Sequence, residues 1–154
     1  MDRSIFKIVF GVGAAILLGY TLLKDKLADS FVTYPPQISN PTADWVRLSV
    51  KINLPVENKT SFYASIADFQ GAAYYAGEIV GRINLDGSVQ IGANGITVVP
   101  AKIEAINTEL IQSVADIVSA GNYDKQLLIK GTLSIYLDKV DKTISIPVNH
   151  FIKF

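Results

Sequence analysis

The chain has 154 residues, with 14 Lys and Arg balanced by 14 Asp and Glu, a single His and no Cys. Zero formal charge leaves no basic footprint for nucleic acid. The absence of Cys excludes disulfides, thiolate metal sites, thiol catalysis and a lipid-modified cysteine anchor. The length fits one domain with an appendage.

The appendage comes first. Ile5 to Leu23 is apolar apart from Lys7 and the mild residues Tyr20 and Thr21. As a helix rising 1.5 Å per residue, about nineteen residues span roughly 28 Å, close to the hydrocarbon thickness of a bilayer. Lys7 can snorkel to the headgroups on one side, and Lys24 and Lys26 mark the other interface. A cleaved signal peptide would have a shorter apolar core followed by a small-x-small site. Leu27-Ala28-Asp29-Ser30 places Leu at the outer position of such a site. The expectation is an uncleaved membrane anchor over residues 1–28. Basic residues number two on each side of the apolar run, so charge does not set the orientation. Gly11, Ala15 and Gly19 recur every four residues, a spacing that lets two helix backbones approach. They are candidate packing residues for self-association, although Gly and Ala are also simply common in membrane helices.

Residues 29–43 read as an extended linker with a first short strand. Phe31-Val-Thr-Tyr34 is β-prone, Pro35-Pro36 is stiff and expected to hold the domain off the bilayer, and Ile38-Ser-Asn-Pro-Thr42 is turn chemistry. A sandwich domain is expected over 44–154. Trp45 leads into Leu48, Val50, Ile52, Leu54 and Val56, which alternate with Ser49, Lys51, Asn53 and Pro55. Strand side chains point to opposite faces in turn, so this run has one apolar face and one mostly solvated face. Asn58-Lys59-Thr60 ends it. Two further strands are expected, Phe62–Phe69 and Ala72–Ala76, separated at Gln70-Gly71. Gly77 and Gly81 suggest a bulge or a close backbone approach. Asp86-Gly87 is a hairpin signal, with Val89-Gln-Ile as the returning arm. Ile96 to Ile106 is extended, and Pro100 inside it argues for an edge position or a bulge.

The period then changes. Leu110, Ile111, Val114, Ile117 and Val118 share one helical face, Asn107 or Thr108 can cap the N-terminus, and Gly121 the C-terminus, predicting a helix over Asn107–Ala120. Gln126 to Leu137 alternates again. Asp138 to Lys142 is a charged hairpin loop. Ile144, Ile146, Val148, His150, Ile152 and Phe154 form the apolar row of a last strand. Seven or eight strands with regular turns predict an all-β sandwich with one short helix after the anchor.

The order of these pieces resembles the late-embryogenesis-abundant type 2 family, also called the water-stress and hypersensitive-response domain. The residues that carry the likeness are Leu48-Ser-Val-Lys-Ile-Asn-Leu-Pro-Val-Glu-Asn-Lys-Thr and Tyr74-Tyr-Ala-Gly-Glu-Ile-Val-Gly, followed in order by Val98-Val-Pro-Ala-Lys-Ile and Leu128-Ile-Lys-Gly-Thr-Leu. Lys59 stands where that family usually has Pro after Asn58. The resemblance covers residues 31–154. It implies an immunoglobulin-like or fibronectin-III-like sandwich, a membrane-anchored member and no enzyme activity, though fold alone does not fix function.

No constellation points to chemistry, so no catalytic residue, metal ligand or cofactor is assigned. His150 lies on the apolar row of its strand, where a packed or hydrogen-bonded role is expected. Asp138 and Asp141 lack the oxygen-donor ladder of a calcium loop. Gly87, Gly92 and Gly95 read as turns rather than as a phosphate cradle. Asn58-Lys-Thr60 is a formal glycosylation acceptor, with a turn Asn as the better reading. Tyr63, Tyr74 and Tyr75 are candidate partner contacts. Adjacent Tyr74 and Tyr75 should face opposite sides of a strand, which would leave one exposed.

Two functions fit. One is a non-enzymatic protein-binding or scaffolding module, held at a bilayer by a single-pass helix with its sandwich on the extracytoplasmic side. The other is a structural subunit of a large assembly, such as a membrane-containing virion. Expected partners are the lipid bilayer, other proteins of a membrane assembly and a second copy of the chain, with no nucleic acid.

Overall fold

The structure is a computed structural model and describes residues 26–38, 49–106 and 127–152. The apolar run Ile5–Leu23 with Gly11, Ala15 and Gly19, Trp45, the expected helix Asn107–Ala120 and Phe154 lie outside the described residues. Among the described residues no helix is long and apolar enough to cross a membrane.

The described chain is all-β. Its strands are β1 (Phe31–Thr33), β2 (Gln37–Ile38), β3 (Ser49–Asn58), β4 (Ala64–Tyr75), β5 (Glu78–Leu85), β6 (Gln90–Ile91), β7 (Gly95–Ala105), β8 (Leu128–Leu137) and β9 (Lys142–Phe151). Residues 26–29 are helical, and Asp138–Val140 form a 3-10 turn between β8 and β9. All pairings are antiparallel, and the strands form one sheet in the order β1-β3-β7-β5-β4-β8-β9. Short β2 adds to β3, and β6 adds to β4. The two ends of this path, β1 and β9, approach each other, so the sheet is nearly closed and barrel-like.

Period-two alternation explains the interior. Val50, Ile52, Leu54 and Val56 of β3 point inward, as do Ile129, Leu133, Ile135 and Leu137 of β8 and Ile144, Ile146 and Val148 of β9. Burying one such side chain is worth about 1.5–3 kcal/mol, so these rows dominate the choice of register. A slip by one residue would turn each row to solvent.

Four expectations need correction. First, Gln70-Gly71 is not a turn, because β4 runs unbroken from Ala64 to Tyr75. Gly71 sits opposite Gly131 of β8. A Cβ on Gly131 would lie 2.4 Å from the Gln70 carbonyl oxygen and 2.5 Å from Gly71 Cα, so both strands need glycine to approach this closely. The ring of Phe69 lies over the gap, 3.1 Å from where a Gly71 Cβ would stand.

Second, Asp86-Gly87 does not close a tight hairpin. β5 pairs with β4 on one side and with β7 on the other. At Asp86 the chain parts from β7 and continues as β6 along β4, with Ala64 opposite Ile91 and Ser65 opposite Gln90. Gly87, at φ 97°, supplies the backbone conformation of the kink.

Third, β7 is not an edge strand, since β3 and β5 flank it. Pro100 is tolerated because of where it falls. Its carbonyl accepts the Asp86 N–H at 3.1 Å, one rung beyond the last β5 pair, Leu85–Ala101. The missing Pro N–H therefore faces the point where β5 peels away.

Fourth, Pro35-Pro36 is no free spacer. β1 and β2 both pair with β3, and the Pro pair carries the chain between them. Of the two glycines expected to mark a bulge or close approach, Gly77 lies in the two-residue β4–β5 turn with Ala76, at φ 85° and 51°. Gly81 is the close approach, since a Cβ there would lie 2.5 Å from Ile103. The bulge is at Val80, which is left over when Ala73 pairs with Gly81 and Tyr74 with Ile79.

Candidate functional site

The site is the seam where the sheet fails to close. Among the described residues β9 pairs only with β8, and β1 only with β3. Across the gap a hydrogen bond of 2.8 Å joins Thr33 Oγ1 and His150 Nε2. Both side chains come from inward rows. Thr33 follows Phe31 on β1, and His150 follows Ile144, Ile146 and Val148 on β9. A threonine and a histidine thus occupy the rim position where another apolar pair would complete the core. Burial pushes the His150 pKa below its ordinary value, and contact with Thr33 partly opposes that shift. The ring is therefore neutral at pH 7.

Beside this latch an open groove of about 600 Å³ runs between β1 and β9. Phe31 and Ile146, both buried, form its floor. Asp29, Thr33, Asn149 and His150 supply polar edges. Such a groove can take an extended chain: the outer backbone edge of β9 offers ladder groups and the floor offers apolar contact.

A second polar knot closes one end of the molecule. Asn58 is fully buried at the end of β3. Its amide donates to the carbonyls of Phe62 at 2.7 Å and Gly92 at 3.1 Å. Its oxygen accepts the Thr60 N–H at 2.9 Å and the Thr60 hydroxyl at 2.7 Å. This one side chain ties the β3–β4 loop to the turn before β7. It is the last residue of β3, and its side chain holds the turn that follows with both amide atoms engaged, which leaves no room for a glycan on the folded chain.

The candidate partner tyrosines do not form one surface. Tyr63 precedes β4 and is 70% exposed. Tyr74 and Tyr75 lie at the other end of the same strand, about 36 Å away at strand rise. Both are half-buried, and Tyr75 packs against the core. The two do face opposite sides, Tyr75 toward the core, but the expectation that one would be exposed fails because neighbours on the outer face partly cover Tyr74. Tyr74 instead belongs to a cross-strand row with Ile79, Leu128 and Phe151. Among the described residues no group of three or more His, Asp and Glu is placed to hold a metal ion.

Sequence reasoning placed His150 correctly on its row but missed the groove. β1 is only three residues long, and its meeting with β9 joins positions 117 apart. The visible signal was His150 alone, a polar residue ending an otherwise apolar row.

Compared with known proteins, residues 53–151 match the family described as late embryogenesis abundant protein. No curated protein matches the chain in sequence. Among solved structures, a protein from Archaeoglobus fulgidus is similar at 8% identity and a TM-score of 0.45, over 81% of this chain and 95% of that one. An ASH/PapD-like domain of a human protein is similar at 10% identity and 0.43, over 80% and 84%. A protein of Arabidopsis thaliana solved in solution is similar at 14% identity and 0.42, over 79% and 78%.

Proposed function

The chain belongs to the late embryogenesis abundant protein family, and we propose that it is a non-enzymatic binding module, an immunoglobulin-like β-sandwich tethered to a membrane that holds a protein partner there. The observation that carries this reading is the β1–β9 groove, with an apolar floor beside a strand edge that is unpaired among the described residues. Support for two layers comes from the kink after β5. There β6 stays with β4 while β7 stays with β3, so β1-β3-β7 and β4-β8-β9 separate at that end. Support for the tether is the apolar run Ile5–Leu23 in the sequence.

The partner in this reading adds an extended segment to β9 and sets an apolar side chain over Phe31 and Ile146. A photo-crosslinking residue at Ser145, exposed on the groove, tests it in cells that make the protein. The expected result is a discrete protein adduct that a crosslinker at Arg82, on the outer face of β5, does not give. Equal labelling from both positions would reject the groove as the binding site. The tether is tested by carbonate extraction of the full chain against a chain starting at Ser30. Only the full chain should stay with the membrane.

A further inference from the structure

The two ends of the sheet differ in a way that assigns them different surroundings. β1 runs from Phe31, beside Asn58, toward β2 at Ile38 and Ile52. The described chain therefore enters at the end formed by the loops 59–63 and 138–142. This end exposes Lys26, Lys59, Tyr63, Asp138 and Lys139. A notch of about 400 Å³ opens between the two loops, lined by Ser61, Phe62, Tyr63, Asp138 and Lys139. Lys139 Nζ stands 5.0 Å above the Phe62 ring, which props the two loops together. The opposite end carries Glu78 and Glu104 and the apolar row Ile79, Tyr74, Leu128 and Phe151.

We propose that the end bearing Tyr63, Lys59 and Lys139 rests on the phospholipid headgroup layer, so that the domain stands on the membrane rather than swinging free of it. The inference rests on the tethered reading above. Three observations select a bilayer as the occupant. The apolar run of the sequence is joined to this end by Lys24-Asp25-Lys26, too short a link to let the end leave the surface far behind. Among the described residues Tyr63 is the most exposed of the large apolar and aromatic side chains, and a tyrosine ring with a polar tip suits the headgroup layer. The charges at this end are mixed, with Lys26, Lys59 and Lys139 against Asp29, Asp138 and Asp141. A headgroup layer also carries both signs, so lysines can meet phosphates while aspartates meet amines or stay hydrated. Asp141 is already held by the Tyr136 hydroxyl at 2.7 Å.

Because the chain has no Cys, a single introduced one can be labelled without interference. The full chain carrying Ser61→Cys or Phe151→Cys, each with an environment-sensitive fluorophore, is reconstituted in vesicles of phosphatidylcholine and phosphatidylglycerol containing a headgroup-proximal nitroxide lipid. The label at 61 should shift to the blue and lose emission to the nitroxide, while the label at 151 keeps both its colour and its intensity. Adding Tyr63→Ala should weaken the quenching at 61 without changing the fold, since the side chain is mostly solvated. If the protein floats with the vesicles but the two labels are quenched alike, the end-on arrangement is wrong and the tether stands. If the protein does not float, the tether fails and takes this inference with it.

Discussion

The seam between β3 and β7 and the seam between β1 and β9 are built on opposite plans. The first is a ladder of ten consecutive pairs, from Ser49–Glu104 to Asn58–Gly95. The second has no ladder and is bridged by the side chains of Thr33 and His150. The difference shows what fixes the fold and which backbone is left over for the proposed binding. Where inward rows are long and apolar, register is set by burial and the backbone groups pair as a consequence. Where the row ends in Thr33 and His150, the last contact is polar and local, and the backbone beside it stays available. An edge left open is ordinarily a liability for aggregation. Here Lys142 and Pro147 on β9 blunt it.

The comparison breaks first where strands come closest. Gly131→Val should abolish folding or cost on the order of 3 kcal/mol, because its Cβ would meet backbone rather than a movable side chain. Thermal melting checks this. An equal loss is not expected from Thr132→Val, one residue along and exposed. Asn58→Ala should come next, at about 2–3 kcal/mol, since it leaves the Phe62 and Gly92 carbonyls without their buried donor. Urea unfolding reads this loss. Amide exchange should show it spreading to the Thr60 N–H and to the turn at Gly92.

Thr33→Val sharpens the contrast from the open side. It keeps the β-branched shape and removes one neutral hydrogen bond, so about 1 kcal/mol is expected. Exchange protection should fall along β1 and β9 and stay unchanged along β3 and β7. Uniform loss of protection would mean that the seam is part of one cooperative unit.

How much of this was legible follows the same division. Alternation in Leu48–Val56, Gln126–Leu137 and Ile144–Ile152 gave β3, β8 and β9 with the right faces, because each face depends only on its own strand. Gly71 misled, since its reason for being glycine is Gly131 across the sheet, sixty residues later. Asp86-Gly87 misled in the same way. The dipeptide supplies the φ of a turn, but the partner of the following strand is β4, set by the long inward row from Ala64 onward. Pro100 suggested an edge, and the structure shows an edge one rung long inside a central strand. The groove was out of reach, because neither β1 nor β9 contains information about the other.

The smallest expected effect is the most specific to the open seam. Burial lowers the His150 pKa, so the folded chain binds a proton there less readily than the unfolded chain, whose His titrates near the ordinary 6.5. Between the two pKa values the unfolded state holds more protons, and stability rises with pH. The contribution is therefore complete above the unfolded pKa and is lost as pH falls below about 6.5 toward the folded value. The imidazole is only half-buried, so the effect should be slight and screened by water. His150→Gln keeps a hydrogen-bonding side chain near Thr33 but does not titrate. Chemical denaturation between pH 5 and 8 should show a small rise in stability for the natural chain relative to that variant. A difference that falls as pH rises would mean that the charged ring is the favoured partner in the folded state. His150 would then be a buried cation at the groove rather than a neutral latch, and an acidic partner segment would become the better fit.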